Sequence, residues 1–383
     1  MRPADDDPVT RARALQPLVR QYADASQHDR HLHADVARAI ANAGLYRLAV
    51  PKACGGPEAD PTTQIRTIEA IAEADGSAAW NLMIGIESLG LVAPLFGAAR
   101  NEVLADPLTI LCSSTAAVGS ATPTDGGYRI AGRWGFVSGC HNAQWFAATV
   151  RVPTGGEGES RQAYALLPKA EFEIVDTWHV AGLRGSGSHD VVVDDVLVPN
   201  ARMSGHLGTA RHDSPLLRLP LGSRLAYNKV GVGFGIARAA IDTFVDLATA
   251  KVPRFSSRSV RERPFAQRSV ALAEIRLRAA RALVFELTDA LWHTALAGKA
   301  FDDRVRALHQ AACCDAAVAC VDAVEHVLEA AGTSANELAN PLERHARDVR
   351  VIRQHVTVAP HHVEDAGRVL LGLPAEGLML RSL

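Results

Sequence analysis

The 383-residue chain is poor in aromatic side chains, at 5%, and its six cysteines form no C-x-x-C pair. Cysteines so sparse (Cys54, Cys112, Cys140, Cys313, Cys314, Cys320) do not frame a disulfide scaffold or a zinc site, and they read as free buried thiols with no metal expected. A surplus of either charge is also missing: 40 Lys and Arg against 42 Asp and Glu leave a formal net charge of −2. A nucleic-acid binder needs excess cation to displace counterions from phosphates, so the expected partners are small molecules or copies of the same chain. No run of about 18 uncharged apolar residues is present, which argues against a membrane partner. The N-terminus MRPADDDPVTRAR lacks the apolar segment of a secretory signal, and the expected compartment is cytoplasmic. Internal repeats and low-complexity segments are lacking too.

What the chain does have is alanine-rich apolar periodicity. Ala14, Leu15, Leu18, Val19 and Tyr22 recur at helical intervals, as do Val36, Ile40, Ala43 and Leu45. The segment VPKACGGPEADP interrupts this pattern, which resumes at Thr62 to Glu73 and Ala78 to Phe96. Between about 108 and 200 the texture changes to short β-branched and aromatic runs, with Asp125-Gly126-Gly127 as a hairpin turn. Helical stretches return at 221–251, 264–298, 303–332 and 341–371, with 255–265 as a connector. The order is helical, β, helical: a mainly α, α+β chain.

Three motifs invite a functional reading and do not sustain it. Gly231, Gly233 and Gly235 follow a helical segment rather than a strand, so they fit close helix packing and not a dinucleotide loop. His28, His31 and His33 lack helical metal-ligand spacing and sit among Asp29, Arg30 and Asp35, as on a solvated face. His361-His362 after Pro360 reads as a helix start.

Other segments leave two readings open. In GRWGFVSGCHNAQWF, Trp134, Phe136 and Trp145 could sandwich a flat heterocycle while Ser138 bonds its edge, or they form a β core with one turn serine. The run Arg184-Gly185-Ser186-Gly187-Ser188 offers backbone N–H groups, two hydroxyls and a guanidinium to an anionic or carbonyl-rich ligand, or it is an ordinary turn before an edge strand. His355, spaced with Arg347 and Arg350 on related faces of one expected helix, is either a packing residue or an acid/base.

Taken together, LAVPKACGG, EAIAEADGSAAW, GGYRIAGRWGFVSGCHNAQWF, DTWHVAGLRGSGSHDVVVDDVLVP and PLERHARDVRVIRQH resemble the acyl-CoA dehydrogenase superfamily, and within it the two-component flavin monooxygenases that accept reduced flavin from a separate reductase. The likeness covers nearly the whole chain. It implies an N-terminal helical domain (1–106), a central β-barrel or sandwich domain (107–212), a C-terminal four-helix bundle (213–383) and a homotetramer with flavin at its interfaces.

A dehydrogenase needs a carboxylate to take the proton α to a thioester, commonly about eight residues after an Arg-Asp pair. Counted from Arg347-Asp348, that place holds His355-Val356, and Leu221 to Asn228 offers no acid either. The T-E-P-x-x-G-S-D stretch, the Arg-x-x-x-Phe-Gly segment and the Gln-x-x-Gly-Gly loop that dehydrogenases use are not recognisable.

The resemblance therefore implies an oxygenase component. Reduced FMN or FAD and O2 would hydroxylate or N-oxidise a small organic substrate through a flavin 4a-hydroperoxide. Ser138 and His355 would be catalytic. Trp134, Phe136, Ser138, Gly139, Arg184, Gly185, Ser186, Ser188 and Arg347 would contact flavin, Arg347 or Arg344 through phosphate or a helix interface. Phenols, indoles, aminosugars and sulfur heterocycles all remain open as substrates. The alternatives are a dehydrogenase or oxidase whose base has moved to Glu69, Glu73 or Glu87, and a non-catalytic scaffold.

Overall fold

Most helices begin on a polar side chain that accepts one of the backbone N–H groups the first turn leaves unpaired. Asp7 receives Thr10 N, Asp60 receives Thr63 N at 2.9 Å, Asp75 receives Ala78 N at 2.8 Å, and Asn340 receives Leu342 N at 3.0 Å. Pro8, Pro61 and Pro341 follow three of these caps at the first helical position, where a missing N–H costs nothing. The computed structural model describes residues 7–155, 159–205 and 213–380. The first six residues of the N-terminal motif, and residue 212 at the expected second domain boundary, lie outside the described residues.

The helices of the first segment are α1 (Pro8–Asp29), α2 (Ala34–Asn42), α3 (Pro61–Ala72), α4 (Gly76–Glu87) and α5 (Ala99–Ala105). The apolar pattern predicts one helix from Ala78 to Phe96. Instead α4 stops at Glu87, widens into a π turn over Ser88–Val92 and tightens into a 3-10 turn over Ala93–Leu95. The stretch Gly76–Leu95 is long and apolar enough to cross a membrane by length and composition alone, but 83% of its most apolar window is buried in the protein's own core.

Six strands follow: β1 (Leu111–Thr124), β2 (Gly127–Val137), β3 (Trp145–Pro153), β4 (Ser160–Pro168), β5 (Glu173–Val175) and β6 (His189–Pro199). They hydrogen-bond as one connected sheet in the order β4-β3-β1-β2-β6-β5, antiparallel except for β1 against β3. The β1–β2 hairpin closes at Asp125-Gly126, with Gly126 at φ 80° as such a turn requires.

The last segment holds α6 (Pro215–Arg218), α7 (Leu221–Ala250), α8 (Pro264–Leu296), α9 (Asp303–Ala331), α10 (Pro341–Gln354) and α11 (His362–Leu370). Helices α7 to α10 pack as a bundle, and α7 also lies along α3. Its glycines make both approaches possible: a Cβ on Gly235 would stand 2.3 Å from Glu69 O of α3, and one on Gly233 would stand 3.3 Å from Cys320 Sγ of α9. One hydrophobic core runs from Ala12 through the sheet to Val358. All six cysteines are free, and five of them are buried.

Candidate active site

Strand alternation would give Trp134 and Phe136 the same face. A register shift between Trp134 and Val137, with Phe136 at φ 57°, separates them. Trp134 is fully buried, donates to Thr149 O at 2.9 Å, meets Phe146 edge-on and fills a slot that a Cβ on Gly119 or Gly132 would block. It is a core side chain, so the expectation that it contacts flavin gives way to its packing role. Phe136 is thrown outward, 67% exposed, with its ring 6.0 Å from that of Trp178.

Beyond the bulge, Ser138 is buried within a short relay. Trp80 Nε1 donates to Ser138 Oγ at 3.0 Å, Ser138 Oγ lies 2.7 Å from Ser188 Oγ, and Ser188 Oγ lies 2.8 Å from Ser186 Oγ. Gly139, at φ 76°, donates its N–H to Ser186 O at 3.0 Å and leaves room for Asn81, which donates to Ser77 O at 3.0 Å and to Ser186 O at 3.3 Å. Ser138, Gly139, Gly185, Ser186 and Ser188 are therefore one constellation, clamped against the start of α4.

The 183–188 loop is held from its other side by α10. Asp348 Oδ1 accepts Leu183 N at 2.6 Å, and Leu183 itself is at φ 51°. Burial, with Asp75 nearby, lifts the Asp348 carboxyl to about 7. Arg347 donates to Ala181 O, to Glu343 at 2.6 Å and to Gln27 at 3.0 Å. Its donors are thus spent on the helix interface, and Arg344 likewise pairs with Asp24 at 2.6 Å. Arg347 positions the loop, which is the helix-interface pairing given as the alternative to a phosphate contact. Arg184 differs, because its Nε is buried and meets no acceptor.

His355 is not on a helix face with Arg347 and Arg350, as its spacing predicts. It caps α10 in extended backbone (ψ 135°), which turns the ring toward α4, 5.3 Å edge-on from Trp80. Thr357 holds the ring through Nδ1, with its N–H at 3.3 Å and its Oγ1 at 2.9 Å. Burial, helped by the Lys229 ammonium, pushes its pKa down to about 3, so the imidazole is neutral at working pH.

The three carboxylates considered as displaced bases are all committed. Glu69 forms a two-pronged pair with Arg281 at 2.8 and 2.9 Å, Glu73 accepts from Gln16 at 3.0 Å, and Glu87 is bound to Lys229. Among the described residues no group of three or more His, Cys, Asp or Glu could hold a metal. Of the early histidines, His28 lies on the expected solvated face, whereas His33 caps α2 and stacks on Tyr22 at 3.9 Å, and His31 stacks on His141 at 4.3 Å. His362 does start α11.

Asn81, Thr357 and the Glu87–Lys229 pair carry no motif of their own, while Trp80 and Asp348 lie in the motifs EAIAEADGSAAW and PLERHARDVRVIRQH without a role assigned to them there. Glu87 alone had a signal: it is the one charge in Gly76–Leu95, and an acid in so apolar a stretch demands a buried partner.

The arrangement suits a planar redox ring. Phe136 and Trp178 offer apolar surface beside a buried hydroxyl, and the orphaned Arg184 Nε awaits an acceptor. The acyl-CoA dehydrogenase N-terminal domain matches residues 10–113 and the acyl-CoA dehydrogenase C-terminal domain matches residues 229–360. The chain belongs to the acyl-CoA dehydrogenase family. Within it, similarity is to the oxygenases. The chain is 32% identical to an indole-3-acetate monooxygenase of Pseudomonas putida, over 94% of this chain and 92% of the relative. It is 29% identical to the oxygenase component of an FADH2-dependent resorcinol hydroxylase of Rhizobium sp., over 96% and 95%. XiaF from Streptomyces sp., solved in complex with FADH2 and glycerol, superposes with TM-score 0.88 at 27% identity, covering 97% of this chain and 96% of that one. The chain is a flavin-dependent monooxygenase of the two-component kind, an oxygenase that takes reduced flavin from a separate reductase and acts with O2 on a small molecule.

Proposed function

We propose that this oxygenase hydroxylates a small aromatic compound between α4, α7 and the His355 turn, with reduced flavin held by Phe136, Ser138, Gly139, Trp178 and the 184–188 loop. The observation that carries this reading is the Trp80–Ser138–Ser188 relay beside a neutral His355. Bound reduced flavin supplies the electrons with which O2 is activated. Ser138, its hydroxyl fixed by Trp80 and Ser188, gives the reacting edge of that ring a preorganised hydrogen-bond partner. His355, neutral and buried, takes a proton from a phenolic O–H or a ring N–H, or donates its own ring proton to oxygen. Buried Trp80 keeps water from Ser138 and His355, which limits unproductive loss of reducing equivalents as peroxide.

Indole-3-acetate and resorcinol, in the names of the two relatives, support an aromatic substrate and attack on carbon. A cytoplasmic setting, where a reductase draws on nicotinamide, fits the same reading. Exposed Phe265, Ile275 and Leu283 on α8 support self-association, which we read as a homotetramer.

The test supplies reduced FAD or FMN from a reductase under isotopically labelled O2, with phenols and indoles as substrates. One labelled oxygen in a ring-hydroxylated product is the expected result. Flavin oxidised only to peroxide with every substrate, or anaerobic bleaching of bound oxidised flavin by an acyl thioester, would overturn it.

A further inference from the structure

Behind His355 lies a second polar group, buried between α4 and α7. Lys229 is 2% exposed and pairs with Glu87, which is 7% exposed. Arg224 lies one turn earlier on α7, and Glu87 is the one carboxylate that acts on it. Its Nε and Nη1 are buried and meet no acceptor. Two cations share one anion here, and the Arg224 side chain is only partly exposed, so two of its donors lack both an acceptor and water, a costly arrangement that an added negative charge would relieve. No carboxylate among the described residues does so. Asp60, whose field reaches the neighbouring Tyr227, is already the cap of α3, with Thr63 donating from both N and Oγ1.

The space in front of Arg224 is a small cavity whose walls include Tyr227, Asn228, Gly90 and Leu91. Gly90 and Leu91 belong to the π turn that departs from the expected helix, and such local widening often accompanies binding sites. A hydrogen-bonded chain ties the wall of this cavity to the reacting groups. Leu225 O, next to Arg224, accepts Thr357 Oγ1 at 3.2 Å, and that hydroxyl is 2.9 Å from His355 Nδ1. On α4, Trp80 beside His355 and Glu87 beside Arg224 are two turns apart on one face, roughly 10 Å, the length of an aromatic ring with a short side arm.

We infer that Arg224 is a specificity residue that binds a carboxylate on the substrate, so that the enzyme's substrates are aromatic acids, held ring-first toward His355. This rests on the oxygenase reading for where the ring reacts, but the charge argument stands on Arg224, Lys229 and Glu87 alone. A charged hydrogen-bonded pair in such a place separates an acid from its neutral isostere by about tenfold or more.

The test is binding by calorimetry, anaerobic and with reduced FAD present, of benzoate, phenylacetate and indole-3-acetate, each against its primary amide. At least one acid should bind about tenfold or more tightly than its amide to the native enzyme. In Arg224→Gln that preference should vanish, and in Arg224→Lys part of it should return. Should Arg224→Gln not fold, the native acid-to-amide ratio and Arg224→Lys decide. Equal binding of acid and amide in every pair, or a preference unchanged by both variants, would overturn the proposal. Acids that bind through Arg224 but gain no oxygen from labelled O2 would sink the proposed placing of an aromatic ring against His355 while leaving the carboxylate subsite in place.

Discussion

Trp80 Nε1 reaches Ser138 Oγ at 3.0 Å across the junction of α4 with the sheet, while the same indole meets His355 edge-on at 5.3 Å. One side chain thereby fixes the separation of the two groups assigned to the chemistry. Trp80→Phe keeps a ring against His355 and removes the donor. The loss of one hydrogen bond, about 1 kcal/mol, should raise peroxide released per product roughly fivefold with little change in melting temperature. A coupling ratio equal to native would show that the relay is only structural.

Ser138→Ala removes the hydroxyl itself. Product yield per reduced flavin should fall on the order of tenfold or more, with peroxide rising to match, because a preorganised donor is lost from a water-poor site. Ser188→Ala, which leaves Ser138 in place and loosens only its orientation, should give a smaller loss. Equal effects of the two would place the key hydroxyl on Ser188.

His355 has a depressed pKa, about 3, so the unfolded chain binds the extra proton between that value and the ordinary histidine range. Stability contributed by the neutral ring is therefore present above about 6.5 and is lost as pH falls toward 3. Activity should show no ionisation of His355 between about pH 5.5 and 8. His355→Ala should lower product and raise peroxide across that whole range. A native pH profile with an acid limb near 6.5 that disappears in the variant would show a solvated, titrating imidazole instead.

Asp348 runs the other way. Its carboxyl is raised to about 7, so the folded state holds a proton that the unfolded state has lost. The stability tied to it is full below the ordinary aspartate pKa and falls as pH rises to about 7. Asp348→Asn keeps an oxygen for Leu183 N–H and cannot ionise. Its melting temperature should match or exceed native at pH 8, with the difference shrinking at pH 5. Asp348→Ala should loosen the 183–188 loop and weaken reduced-flavin binding severalfold at both, measured by anaerobic titration. Native-like flavin binding in that variant would free the loop from its clamp.

The sequence alone carried the helix, strand, helix order, because apolar spacing, Asp and Asn caps and the Asp125-Gly126 turn are local signals that tertiary contacts here reinforce. It also carried the close packing at Gly231, Gly233 and Gly235, since small residues on a helix leave a groove whatever fills it. The Ser138 turn and the 184–188 run were legible as motifs, and the structure joins them directly.

What the sequence did not decide were outcomes of geometry between distant segments. Trp134 and Phe136 look alike as aromatics in one strand until a bulge buries the first and exposes the second. His355 leaves its expected helix face because α10 ends one residue earlier. Arg347 and Arg224 are both helical arginines, yet the first finds Glu343, Gln27 and Ala181 O, while the second finds no acceptor for two of its nitrogens. Whether a buried charge is satisfied depends on what the fold brings within hydrogen-bond reach, and that is fixed only when α4, α7 and α10 pack together.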